Sequence, residues 1–363
     1  MNIRYTKMID KFNFGKVDDI YRFEEKEVSS KDWVMAGKND ELFSFLNDMV
    51  DYSPIHNVCL RSKTDNVVGQ GFTREYQMNN LEDINELFRK IAFEYVVSGN
   101  VFLNCVWKND RKQGLKSVYF VPSQYVRVGK TEIIGQEPEK YYFCEDWNNY
   151  RKHSVIEFDR LDPTNMSTKQ MYHIKNYAPG YRYYGLPNYM SVINDVRLNH
   201  EISIHHLANI QNGATPSLWV NFRNSAPGSE KEQQDILRKL KDSYTGSESA
   251  GNIIVSFSET DNGPEITTIN PTTNDQYYSA IFEQIQKQIL SGHKITDPTL
   301  IGLPQPSGFS SQADQIETSF RLFLNTTIKP IQNELLDGLY PIVDLLYPDE
   351  TIELEIIQNN ILG

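Results

Sequence analysis

The chain has few cysteines, no long apolar run and a shortage of positive charge, and each shortage argues against a class of protein. Cys59, Cys105 and Cys144 are its three cysteines. Their number is odd and no C-x-x-C spacing occurs, which argues against a disulfide scaffold or a zinc knuckle and predicts reduced, packed thiols in a cytoplasm. The longest apolar runs, such as Ile253-Ile254-Val255, are far too short to span a bilayer, so no membrane partner is expected. Met1-Asn2-Ile3-Arg4 leads into polar sequence, without the apolar core of a signal peptide. There is no G-x-x-x-x-G-K-[ST] loop to cradle a phosphate, Gly69-Gln70-Gly71 lacks the third glycine of a dinucleotide fingerprint, and no G-x-S-x-G elbow appears. No enzymatic activity and no cofactor are therefore expected. The formal charge of −12 argues against coating nucleic acid, whose phosphates would be repelled. It leaves open a surface past which DNA slides, because a wall that gripped the phosphates would stall them.

What is present fits a folded protein. The chain is 39% hydrophobic and 23% charged, a globular composition. Its 363 residues exceed one usual domain, so two or more lobes are expected. Residues 1–38 read as a charged, irregular arm with scattered aromatics (Phe12, Phe14, Tyr21, Phe23, Trp33). Helical spacing of apolar residues predicts helices over 39–50 and 80–98. Strands follow: 101–107, 117–121, 126–128, 133–134, 141–144 and 155–158 are β-branched and aromatic, a mixed α+β lobe with an antiparallel meander. Apolar stripes predict long helices over 187–211 and 275–294, roughly 36 and 30 Å in length. Between them lies an αβ insert. Strands are expected at 217–222, 253–257 and 265–269. Ser229 and Glu232 form a capping box that starts an intervening helix. Residues 295–313 are rich in Pro, Gly and Ser and carry no periodicity, the mark of a long loop. A helix resumes near Gln312, Pro330 bends or interrupts it, and 352–357 alternates as a terminal strand. No internal repeat and no low-complexity segment occurs.

Three strings punctuate the long helices. Tyr184-Gly185-Leu186-Pro187 opens the first, since proline suits a first turn. Asn212-Gly213-Ala214-Thr215-Pro216 closes it, with Gly213 free to take the left-handed conformation. Asp297-Pro298-Thr299-Leu300-Ile301-Gly302-Leu303 follows the second, where Pro298 removes a donor. These strings in this order resemble the phage portal proteins of long-tailed phages and related prophages. Ser98-Gly99-Asn100-Val101-Phe102, followed by Val118-Tyr119-Phe120-Val121-Pro122, is similar to the wing domain of that family.

The resemblance implies an α+β portal fold: arm (1–38), wing (39–186), stem helix (187–212), clip (213–271), second stem helix (272–294), tunnel loop (295–313) and C-terminal helices with a terminal strand and little or no crown (314–363). It implies a ring, typically of twelve subunits, at one capsid vertex, which conducts double-stranded DNA during packaging and ejection. The partners it implies are the terminase, which carries the ATPase, the major capsid or scaffold protein, and a head–tail adaptor. The place is the virion, after assembly in the host cytoplasm. Lys287, His293 and Lys294 would then line the DNA channel, Lys287 and Lys294 being seven apart on one helix face. Gly302, Pro304, Pro306, Gly308 and Phe309 would form the tunnel loop. Arg238, Lys239 and Lys241 would face docking partners on the clip.

Two alternatives stay open. One is another ring-forming head–tail structural protein such as an adaptor, although that class is normally shorter and lacks a helix–insert–helix layout. The other is a metal-dependent enzyme using His200, Glu201, His205 and His206. His200 and His205 are five apart, about 140° around the axis, so they point different ways. The plainer reading of that stretch is a polar helix face meeting solvent or a neighbouring subunit. No metal site is expected.

Overall fold

The computed structural model describes residues 23–133, 135–211, 217–222, 235, 253–257, 265–269, 274–303 and 313–360. The chain divides into two compact units, Met1–Asn194 with Gln288–Gly363, and Asp195–Lys287.

In the first unit, β1 (Glu25–Glu27) and β2 (Val34–Ala36) pair as an antiparallel hairpin. This corrects the reading of 1–38 as irregular throughout. Phe23, Trp33, Val34 and Ala36 are buried; Trp33 packs on Tyr142, Trp147 and Tyr150, and Phe23 on Phe45. Phe12, Phe14 and Tyr21 lie outside the described residues. Three helices follow: α1 (Leu42–Tyr52), α2 (Pro54–Val68) and α3 (Ile84–Ser98). Asp83 and Glu86 close a reciprocal capping box at the start of α3, at 2.9 and 3.3 Å. Gly99, at φ +70°, ends it in the left-handed conformation.

The strands β3 (Asn100–Trp107), β4 (Leu115–Val121), β5 (Val126–Val128), β6 (Lys140–Phe143), β7 (Ile156–Arg160) and β8 (Gln170–Lys175) form one sheet in the order β4-β3-β8-β7-β6-β5. The expected meander is broken: β8 inserts between β3 and β7 and runs parallel to β7. Polar side chains hold it there. Trp107 Nε1 donates to the buried Gln170 Oε1 at 2.7 Å, and Gln170 Nε2 donates to Asp162 and Asn165 carbonyls. Ile133, expected in a strand, sits in a bend and is exposed.

The second unit takes most of α4 (Ile193–Gln211), then β9 (Ser217–Phe222), β10 (Ile253–Phe257), β11 (Glu265–Ile269) and most of α5 (Asn274–Gly292). The strands stand in the order β10-β9-β11, β9 parallel to β10 and antiparallel to β11. A parallel pair needs a crossover connection; the capping box expected at Ser229 and Glu232 lies outside the described residues.

Back in the first unit, α6 (Ala313–Phe323) passes through a π-turn (Leu324–Ile328) into α7 (Lys329–Leu346). Pro330 occupies the first turn of α7, where its missing N–H is cheapest, and the register slips just before it. The expected terminal strand shrinks to one bridge, Phe72 with Ile356, held by backbone bonds from Gln70 and Thr73. All three cysteines are buried and unpaired. Among the described residues no helix is long and apolar enough to cross a membrane.

Candidate functional site

Two junctions frame the long helices. At the first, Tyr184-Gly185-Leu186-Pro187 docks by its backbone onto the end of α3. Asn100 Nδ2 donates to Gly185 O at 2.9 Å, and Gly185 N donates to Asn100 Oδ1 at 2.8 Å. Asn176 Nδ2 donates to Leu186 O at 2.6 Å. Tyr184 Oη donates to Val34 O at 2.6 Å, and Tyr189 Oη to Val97 O at 2.6 Å. The chain approaches so closely that a Cβ on Gly185 would stand 2.2 Å from Gly99 O. The motif thus serves as a docking node, not as a helix start. A 3₁₀ turn (Met190–Val192) intervenes, and α4 begins at Ile193, six residues after the expected Pro187.

At the second junction, α5 ends at Gly292, not at residue 294. Val192 presses on Gly292, where a Cβ would meet its side chain at 2.2 Å. Lys294 follows in left-handed backbone at φ 57°. The helical spacing that placed Lys287 and Lys294 on one face therefore does not apply, because Lys294 is outside the helix. Both lysines are exposed. His293 departs from its expected place on a DNA-facing surface: it is fully buried, and its Nε2 shares a 2.9 Å hydrogen bond with His56 Nδ1 of α2. Pro298 is not what stops α5, which ended earlier. Pro298 opens a 3₁₀ turn (Pro298–Ile301) capped by the buried Asp297, which accepts from Thr299 N and Oγ1 at 2.9 and 2.7 Å. Gly302 ends that turn at φ +77°, and among the described residues a Cβ there would meet nothing within 4 Å, so its backbone angle is what calls for glycine. Pro304, Pro306, Gly308 and Phe309 lie outside the described residues, as do Arg238, Lys239, Lys241 and Gly213. So do the side chains of His205 and His206. Among the described residues no group of three or more His, Cys, Asp or Glu could hold a metal.

Sequence reasoning missed α2 and its inward face. His56, Lys63 and Thr64 are buried there beside Cys59 and Leu60. Burial pushes the His56 pKa down to about 3 and that of Lys63 down to about 8, and it pushes the Cys59 thiol up to about 12. Lys63, Tyr95, Asn188 and Tyr189 line a cavity of about 10 Å³, room for a single water. The available signal was Ser53-Pro54, a cap residue and a first-turn proline, ahead of Ile55, Cys59 and Leu60. A second concavity, of about 250 Å³, lies beside Trp147 and Tyr125. There the buried Arg127 is neutralised by Asp40 at 2.6 Å and packs on the Trp147 ring.

The sequence profile described as phage portal protein matches residues 75–348, more than half of the chain, and the chain belongs to that family. An uncharacterized protein of Rickettsia bellii (strain RML369-C) is 26% identical over 208 residues, 57% of this chain and 51% of its own length; the chain thus spans about half of that relative. A chain of the neck of an empty gene transfer agent particle shares the fold with a TM-score of 0.60 at 17% identity, over 89% of this chain and 85% of its own. A chain from the neck of the native particle, computed with C12 symmetry, gives 0.57 at 15%, over 85% and 81%. A HK97 family phage portal protein from Corynebacterium diphtheriae gives 0.50 at 8%, over 81% and 89%. The mixed α/β portal fold expected from the sequence is present.

Proposed function

We propose that this chain forms a closed ring, most simply a dodecamer, at one capsid vertex and conducts double-stranded DNA into and out of the particle. The observation that carries the reading is the family match over residues 75–348 together with the portal fold. The C12 symmetry of the gene transfer agent neck supports the ring number. In this reading the terminase supplies the ATPase and docks with the head–tail adaptor on the clip, where Arg238, Lys239 and Lys241 face them. The capsid or scaffold protein meets the ring at the vertex. The protein resides in the virion and assembles in the host cytoplasm. The segment 295–313 acts as the tunnel loop. A net charge of −12 suits a conduit, because a repelling wall lets phosphates pass.

Native mass spectrometry and class-averaged electron micrographs test the assembly. A discrete oligomer near twelve subunits, with a central channel, is the expected result. A protein that stays monomeric at high concentration, in several salts and with scaffold present, would overturn the ring. The channel reading rests on exposed lysines. Replacing Lys287 and Lys294 with Ala is expected to leave rings intact and to change packaging speed or retention of DNA. Each lost phosphate contact should reduce the salt dependence by about one unit of slope. A ring structure that puts both side chains on the outer wall would remove them from the channel.

A further inference from the structure

A buried cluster of titratable groups holds the segment that leads into the Pro/Gly loop, and the conduit function makes no use of it. His56 and His293 are both fully buried and bonded to each other at 2.9 Å. Tyr189 braces the two rings. It stacks on His293 at 5.0 Å and 21°, and meets His56 edge-on at 4.5 Å. Its own hydroxyl is fixed to Val97 O of α3. His293 directly follows the last residue of α5, and the buried Ile295 and Asp297 follow it. The pair therefore ties α2 to the root of the loop.

The electrostatics of the cluster favour one charge state. His56 Nε2 and His293 Nδ1 are buried and make no hydrogen bond among the described residues. Whichever ring donates within the pair, one N–H and one lone pair stay unmet. Protonation adds a second N–H with no acceptor in the pair. It also adds a cation beside Lys63, the buried lysine that depresses both imidazoles after burial itself does. Lys294 adds positive charge next to the pair, and the Cys59 thiol is held neutral by burial. The carboxyl in this segment, Asp297, accepts from Thr299.

We propose that His56, His293 and Tyr189 form an acid-sensitive latch: with both imidazoles neutral it fastens Gly292 to Leu303 onto α2, and protonation of the pair releases that segment. The latch is a property of the folded chain and does not depend on the conduit reading. The sign follows from the depressed values. The released form takes up protons below the ordinary imidazole pKa of about 6.5, whereas the fastened form resists. Fastening is full above that value and weakens as pH falls from about 6.5 toward 3, the His56 value. One ring alone should raise the opening equilibrium about 30-fold between pH 7.5 and 5.

Hydrogen–deuterium exchange on the full chain, corrected for intrinsic pH effects, reads this directly. Between pH 7.5 and 5, protection of residues 292–303 is expected to fall at least tenfold while α3 and β3 keep theirs. The double variant His56→Leu/His293→Phe has no proton to bind and should lose at most twofold. Unchanged wild-type protection, or an equal fall in the double variant, overturns the latch. Should that variant not fold, Lys63→Met decides. Removing the neighbouring cation should move the opening to lower pH, and an unmoved midpoint overturns the proposal. Ring formation by microscopy is read separately, so either idea can fail alone.

Discussion

Gly185→Ala is expected to destabilise the first unit by about 3–5 kcal/mol. The added methyl would stand 2.2 Å from Gly99 O and 2.7 Å from Asn176 O. These are backbone atoms, so no side chain can swing aside. Overpacking alone costs about 1–3 kcal/mol. Any shift that relieves it stretches the two bonds between Gly185 and the buried Asn100 side chain, and each unmet buried group costs about 1–3 kcal/mol. Against a total stability of about 5–15 kcal/mol, that is a large loss. Gly302→Ala is the control. It strains a residue at φ +77° but meets nothing within 4 Å among the described residues, so about 1 kcal/mol is expected. Denaturant midpoints measure both. A Gly185→Ala midpoint matching that of Gly302→Ala would show that the backbone contact at Gly99 does not form.

The same junction shows what a sequence reveals. The string Tyr184-Gly185-Leu186-Pro187 was legible as a boundary, but its mechanism was not. A proline before a helical run suggests a first turn, whereas the glycine is needed for an approach to Gly99, 86 residues earlier in the chain. The strands of the second unit were legible to the residue, because apolar β-branched runs stood between polar turns. In contrast, α2 and β8 were missed for one reason. Each places polar side chains in the core, His56, Lys63 and Thr64 in one and Gln170 in the other, and this erases the periodicity that marks a buried face. Lys294 fell to a related error. A seven-residue spacing means one face only while the helix lasts, and Ser291-Gly292 ends it. The role of His293 was out of reach, since its partner His56 lies 237 residues away.

Shortening the loop across residues 304–310 is expected to give rings and procapsids that fail to package or retain DNA. The expectation rests on the tunnel-loop reading. The root of the loop has its own contacts among the described residues: Asp297 caps the 3₁₀ turn, Gly302 closes it, and His293 and Ile295 are buried. Losing residues beyond Leu303 removes none of these contacts. A shorter loop changes closure entropy by less than about 1 kcal/mol, so folding should survive. In that reading, equivalent loops of a ring would reach the axis together, and their combined length would set the opening. With the tips removed, DNA under pressure meets a wider gap and nothing to grip. The measurement is the yield of filled, infectious particles beside the yield of rings by electron microscopy. Normal rings with empty capsids support a gating role. Normal rings with full, infectious capsids remove it, while leaving the portal fold and the ring untouched.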